Sequence, residues 1–373
     1  MDHLQQPPAA THRQCGQPPA TVYFTSIETG QQVQAASSSH SEIYPEIGEW
    51  LTPMKARTDF MMWEGISALL RPIARVASQR LEYMTLENIL GGRYGHHRCV
   101  DDAICHVRSR SKGLALPDGL PATLNFHPDA LHQGRLMIDV LAREGIYRSQ
   151  FETGTSNGGL TAHPGGDRWR WESRIFGAAY DNAEPELRPK YGALNYRRRV
   201  TGGSPRFGSA HLRLRSQILA RTTFCYPDSH LDPVDFGVAD RMSLIALAEQ
   251  ERASTDVLDS YIEAHVHGSL VLADDVEAIV LDPCYRDTEI EALAKTLPCA
   301  IEWHPGFRMP VSLVEACRAY RGLEFAELAA SIAEDGYVTP RAIGVALKSN
   351  KADPQSLKRV WHCLAKFGSP VTE

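Results

Sequence analysis

The stretch "YIEAHVHG", residues 261–268, constrains the fold most. Ile262, Ala264 and Val266 alternate with Tyr261, Glu263, His265 and His267, and a period of two puts one set on each side of an extended strand. Such a strand buries its apolar side and keeps a carboxylate, an aromatic ring and two imidazoles on the other. The same device recurs in "ATLNFH" (122–127), where Thr123, Asn125 and His127 share a face. It recurs again in "RFGSAHLRLR", where Phe207, Ser209, His211, Arg213 and Arg215 alternate with smaller or aliphatic residues. "IYRSQFE", "YGALNY", "VEAIVLDP" and "CAIEWH" read as further strands. Strands and helices mix without the regular alternation of a doubly wound sheet, so the expected class is α+β.

Four regions follow. Residues 1–55 are rich in Gln, Ser, Pro and Ala and read as a disordered leader that would suit a secretion signal. Residues 56–118 form a helical subdomain, with helical periodicity from Asp59 to Leu90, a bend at Pro72 and a stop at Gly91 and Gly92. The strands fall within a core at 119–305, where "DALHQGRLMIDVLAREG" is expected to be a helix capped by Asp129 and closed by Gly145. Trp169, Trp171, Phe176 and Tyr180 lie on another helix as core residues. Helices fill 306–373.

At 373 residues and 43% hydrophobic content the chain can bury a sizeable core. No apolar run reaches the roughly 18 residues of a membrane span, and the N-terminus lacks the pattern of a cleaved secretory signal. Eight scattered cysteines without a CxxC pair indicate reduced thiols. Residues 168–221 hold twelve Lys/Arg against four Asp/Glu, while 235–302 hold four against fifteen. With a net charge of -6, the basic half suits a compact anionic ligand or an acidic protein patch better than nucleic acid.

No phosphate loop and no dinucleotide fingerprint is present. "GTSNGG" is a Gly-rich loop after a strand, either a tight turn or a ligand-approach loop with Thr155, Ser156 and Asn157 as hydrogen-bonding groups. His265 and His267 could share a metal, but no third ligand of compatible spacing is visible, and no metal is expected. Arg148 and Arg206 are as compatible with paired surface arginines as with ligand contacts.

Together the segments "TLNFHPD", "YRSQFETGTSNGG", "RWRWESRIFGAAYD", "RPKYGALN", "GSPRFGSAHLRL", "RTTFCYPDS" and "YIEAHVHG" resemble the bacterial ADP-ribosyltransferase family of the type III effector CteC, once catalogued as a domain of unknown function. The resemblance covers roughly residues 120–305. It implies an ADP-ribosyltransferase-like mixed, largely antiparallel β core with helical additions at both ends. It also implies NAD as co-substrate, and transfer of ADP-ribose to a protein hydroxyl. In the effector branch that acceptor is a threonine of host ubiquitin, which would block ubiquitination after export into the host cytoplasm. Glu263 is then the carboxylate that faces the ribose as positive charge develops on it, with Ser156 and Tyr261 beside it. Asn125, Phe126, His127, Arg148, Thr153, Gly154, Thr155, Asn157 and His265 would bind NAD. Tyr261 stands where arginine-directed relatives of this class carry a second glutamate, which argues for a hydroxyl acceptor. A metal-dependent hydrolase and an inactive transferase-fold interaction module remain as alternatives.

Overall fold

The computed structural model describes residues 97–154 and 160–370, and the backbone of 23–25 and 32–34. The chain divides into two compact units, 1–74 and 75–373. In the first, β1 (Tyr23–Thr25) and β2 (Gln32–Gln34) pair as an antiparallel ribbon. The remaining positions of the expected leader, and the expected helical subdomain up to residue 96, lie outside the described residues.

The second unit begins with α1 (Arg98–Arg110) and then β3 (Ala122–Phe126). The helix expected to start at Asp129 starts later. A short hairpin, β4 (Leu131–His132) and β5 (Arg135–Leu136), comes first, because Gln133 and Gly134 both take positive φ and turn the chain. Only then does α2 (Met137–Glu144) form, closed as expected by Gly145 in the left-handed conformation. The expected strand "IYRSQFE" shrinks to β6 (Ile146–Tyr147), because Ser149 and Glu152 form a reciprocal capping box that opens the one-turn helix α3 (Gln150–Thr153). The order continues with α4 (Asp167–Ile175), β7 (Lys190–Leu194), β8 (Ala210–Leu214), β9 (Thr222–Tyr226), β10 (Asp235–Val238), α5 (Leu244–Gln250), β11 (Ile262–Val266), β12 (Leu270–Val271), β13 (Val276–Leu281), α6 (Glu289–Ala294) and β14 (Ala300–Trp303). Four helices follow: α7 (Val314–Arg321), α8 (Leu323–Ile332), α9 (Pro340–Lys348) and α10 (Pro354–Phe367).

Eight strands make one sheet in the order β10-β9-β11-β7-β3-β8-β13-β14, antiparallel except where β13 meets β14. The architecture is therefore mixed α/β around a large, mostly antiparallel sheet. One face is apolar. Leu124, Leu212, Ile279 and Leu281 pack there on α2 and α6, and Phe224, Ile262 and Ala264 pack on α5. The other face carries Thr223, Cys225, Glu263, His265, Tyr191, Thr123, Asn125, His211 and Arg213, which the strand registers bring side by side.

Two halves of the sheet meet at a narrow seam. β3 pairs with β7 only through Ala122 and Thr123, after which β3 continues along β8 while β7 continues along β11. The loop 201–208 covers the polar face beside this seam. Asn125 donates from Nδ2 to the carbonyls of Thr201 (2.8 Å) and Gly208 (3.3 Å) and accepts from Ser204 N–H (3.2 Å), while Thr123 accepts from Gly203 N–H (2.8 Å). Gly208 is required by space, since a Cβ there would lie 2.1 Å from the backbone of Phe126. The C-terminal helices form their own core and reach the sheet through Trp361, whose indole donates to the Arg206 carbonyl (2.9 Å) and packs against Phe307 and His127.

Candidate functional site

The polar half-face of β9, β11 and β7 is roofed by α4 and the turn after it. Phe176 and Tyr180 are expected on the helix, but α4 stops at Ile175 and Gly177 and Ala178 take positive φ, so both lie in the turn, fully buried, while Trp169 and Trp171 on α4 are only half-buried. Phe176 meets His265 and His267 edge-on, and Tyr180 stacks on His267. Glu172, one turn earlier, is 1% exposed, accepts from Arg188 (2.8 Å) and Tyr191 (2.9 Å), and so ties α4 to β7. The polar side of β11, which the resemblance would turn toward the ribose of NAD, is thus an interior surface. Tyr261, Glu263, His265 and His267 do share one side, as the alternation implies, but all four are buried.

Glu263 sits at the centre, 4% exposed. Its Oε1 lies 2.9 Å from His265 Nε2 and 3.8 Å from the Cys225 thiol, and its Oε2 accepts from Ser229 Oγ at 3.3 Å. Arg168 donates to Ser229 Oγ (3.0 Å) and lies over the ring of Tyr191. Burial, and then the Asp228 carboxylate, raise the Glu263 carboxyl above the ordinary glutamate value, against the pull of His265 and Arg168. Asp228 moves the other way. Burial alone would raise it, but bonds from the side chain and backbone of His230 outweigh that and hold it low. The Tyr261 hydroxyl donates to Asp228. Below this group, His265 Nδ1 and His267 Nε2 both meet Thr223 Oγ1 (3.1 and 2.8 Å), and His267 Nδ1 meets the Tyr180 hydroxyl (2.7 Å). Burial, followed by His265 and Arg221, drives His267 well below the ordinary histidine value, so it is neutral.

The remaining expected residues lie elsewhere. β3 turns Phe126 into the apolar core, away from the polar face, so it is a packing residue and not a ligand contact. Asn125 spends its amide on the 201–208 loop. His127 is two strands across and four residues along from Glu263, which at about 4.8 Å per strand and 3.3 Å per residue is roughly 16 Å or more. Burial, followed by the Lys358 charge, pushes its imidazole down to about 4. Arg148 pairs with Glu144 on the surface (2.6 Å), Thr153 Oγ1 bonds the Ser149 carbonyl, and Gly154 caps α3 in the left-handed conformation. Thr155, Ser156 and Asn157 lie outside the described residues.

Glu263, His265 and Tyr261 are therefore brought together with groups that the sequence reading did not single out, namely Arg168, Glu172, Thr223, Cys225, Asp228 and Ser229. All six lie inside the quoted segments "RWRWESRIFGAAYD" and "RTTFCYPDS". The ligating atoms of Cys225, Glu263 and His265 lie within 4.8 Å of one another. A separate cavity of about 270 Å³ opens farther along the polar face, lined by Arg198, Arg199, His211, Arg213, Glu302 and His304 among others. Glu263 is not among its lining residues.

A mostly antiparallel mixed sheet with a roofed polar half-face defines the class of protein. Residues 122–253 and 242–366 match the family model described as a protein of unknown function (DUF3626), and the chain belongs to that family. No curated protein matches the chain. Among the described residues, no helix is long and apolar enough to cross a membrane.

Proposed function

We propose that the chain is an NAD-dependent mono-ADP-ribosyltransferase in which Glu263 stabilises the ribose as nicotinamide leaves, passing ADP-ribose to a protein hydroxyl such as a threonine of ubiquitin. The observation that carries this reading is the contrast between two buried carboxylates on one face. Glu172 has its own guanidinium at 2.8 Å, so its charge is accounted for by the fold. Glu263 has only the imidazole of His265 within ion-pair distance among the described residues, and Arg168 reaches it through Ser229. A buried carboxylate held without a direct arginine or lysine partner is costly to the fold, and such groups concentrate at functional sites. A sugar turning cationic would supply the missing countercharge.

Access to Glu263 runs through the turn Ser229–Leu231. Its first residue bonds the carboxylate, while His230 and Leu231 are exposed. Binding of NAD requires this turn to move. Tyr261, bonded to Asp228, supports the same turn from the strand side.

The test is transfer of label from NAD to proteins of a eukaryotic lysate. Glu263→Gln should lower transfer by on the order of a hundred- to thousandfold, the usual consequence of removing a preorganised electrostatic group, with the fold intact by circular dichroism. Wild-type labelling by this variant would remove Glu263 from the chemistry. Absence of any NAD consumption by the wild-type chain would remove the reaction itself.

A further inference from the structure

The geometry points to a buried binding site for one borderline-soft divalent cation of the zinc type, with Cys225, Glu263 and His265 as its three protein donors and a fourth position left for water. β9 and β11 pair with Cys225 directly opposite Glu263, and His265 follows two residues along on the same face. Three different donors thereby converge: Sγ to Oε1 is 3.8 Å, Sγ to Nε2 is 3.7 Å and Nε2 to Oε1 is 2.9 Å. A tetrahedral ion at about 2.0–2.3 Å from each donor requires donor separations of about 3.3–3.6 Å. Shifts of a few tenths of an ångström therefore bring the triangle onto an ion.

The surroundings match a ligating histidine. His265 presents Nε2 to the cluster and turns Nδ1 to Thr223 Oγ1, and this second hydrogen bond fixes the tautomer and ring orientation of a metal-bound imidazole. Thiol, imidazole and a single carboxylate select a zinc-like ion over magnesium or calcium. His267 is not among the donors: its two ring nitrogens meet Thr223 and Tyr180. Charge is permissive: the Asp228 carboxylate acts on both Cys225 and Glu263, against the Arg168 guanidinium. On binding, the Cys225 thiol gives its proton to solvent, the proton between Glu263 and His265 Nε2 passes to Nδ1, facing Thr223, or to solvent, and that hydrogen bond is replaced by two bonds to the ion. All three donors are buried. The site stands whether or not the chain transfers ADP-ribose; where it does, an ion there occupies the carboxylate the transfer needs.

The experiment uses the full chain stripped with a chelator and titrated with Zn²⁺ by calorimetry and with Co²⁺ by absorption. One ion per chain and a thiolate-to-cobalt charge-transfer band are expected. Cys225→Ser should abolish the band, Cys284→Ser should leave it, and Thr223→Val should weaken binding by about 10–100-fold while keeping the band. No stoichiometric binding, or a band surviving in Cys225→Ser, overturns the site. Should Cys225→Ser fail to fold, Thr223→Val decides, and unchanged affinity overturns it. Labelling by metal-free protein reads the transferase activity separately.

Discussion

The Glu172–Arg188 pair is the sharpest place to test how the roof over Glu263 is held. Both side chains are almost wholly removed from solvent, 1% and 4% exposed, at 2.8 Å. Arg188 also donates to the Tyr180 carbonyl (2.6 Å) and lies over the Phe151 ring. Arg188→Met fills similar space but strands the carboxylate. Breaking a buried pair from one side costs about 3–5 kcal/mol, a large share of the 5–15 kcal/mol typical of a folded domain. Burial already raises the Glu172 carboxyl even with Arg188 and Arg168 pulling it down, so losing Arg188 raises it further. A carboxyl whose folded value exceeds its unfolded one favours folding below the unfolded value, and that contribution disappears as pH rises through the folded value. The deficit of Arg188→Met should therefore be full at pH 8 and shrink toward pH 4. Adding Glu172→Gln, which still accepts from Tyr191, should return most of the loss at pH 8. Urea denaturation with an unchanged m-value is the assay. A single-variant loss under about 1 kcal/mol, or a double variant no more stable than the single, would refute the claim that this pair fastens α4 to β7.

Two further outcomes follow from the same geometry. Glu263→Gln should melt above wild type at pH 8, because the raised carboxyl then no longer has to lose its proton in the folded state, and the gap should close toward pH 4; equal melting temperatures at both pH values would show that burial does not disfavour this charge. Gly208→Ala should cost about 2–3 kcal/mol in urea, since its Cβ meets rigid backbone of Phe126, and a neutral result would mean the 201–208 loop is not pressed onto β3.

Much of the sheet was legible because alternation is local. The polar and apolar sides of 261–267 are as the period of two implies, as are those of 122–126 and 210–214, while 190–194, 276–281 and 300–303 were visible as short runs of strand-forming residues. The C-terminal helices were equally visible. What alternation cannot say is whether a polar face meets water. Here Glu172 on α4 and Phe176 and Tyr180 in the turn after it close over it, and helical spacing does not reveal that turn, because Gly177 and Ala178 leave the helix at positive φ. The strand "TTFCY" is not among those expected; its alternation would put Thr223 and Cys225 on one side, but only the pairing of β9 with β11 sets them beside Glu263 and His265. Asn125 looked like a ligand contact because its bonding partners are 76 to 83 residues away. The hairpin at 131–136 was hidden by a helical pattern that the Gln-Gly turn overrides.

The narrow seam between β3 and β7 has a mechanical meaning. Between the strands themselves, two rungs and the bonds of Asn125 and Thr123 to the 201–208 loop join the halves. A second tie bypasses the seam, because the C-terminal helices also hold the segment before β11, through Leu258 in their core and the Lys366–Asp256 pair (2.6 Å). A push on Glu263 therefore has a route to those helices that does not cross from β7 to β3.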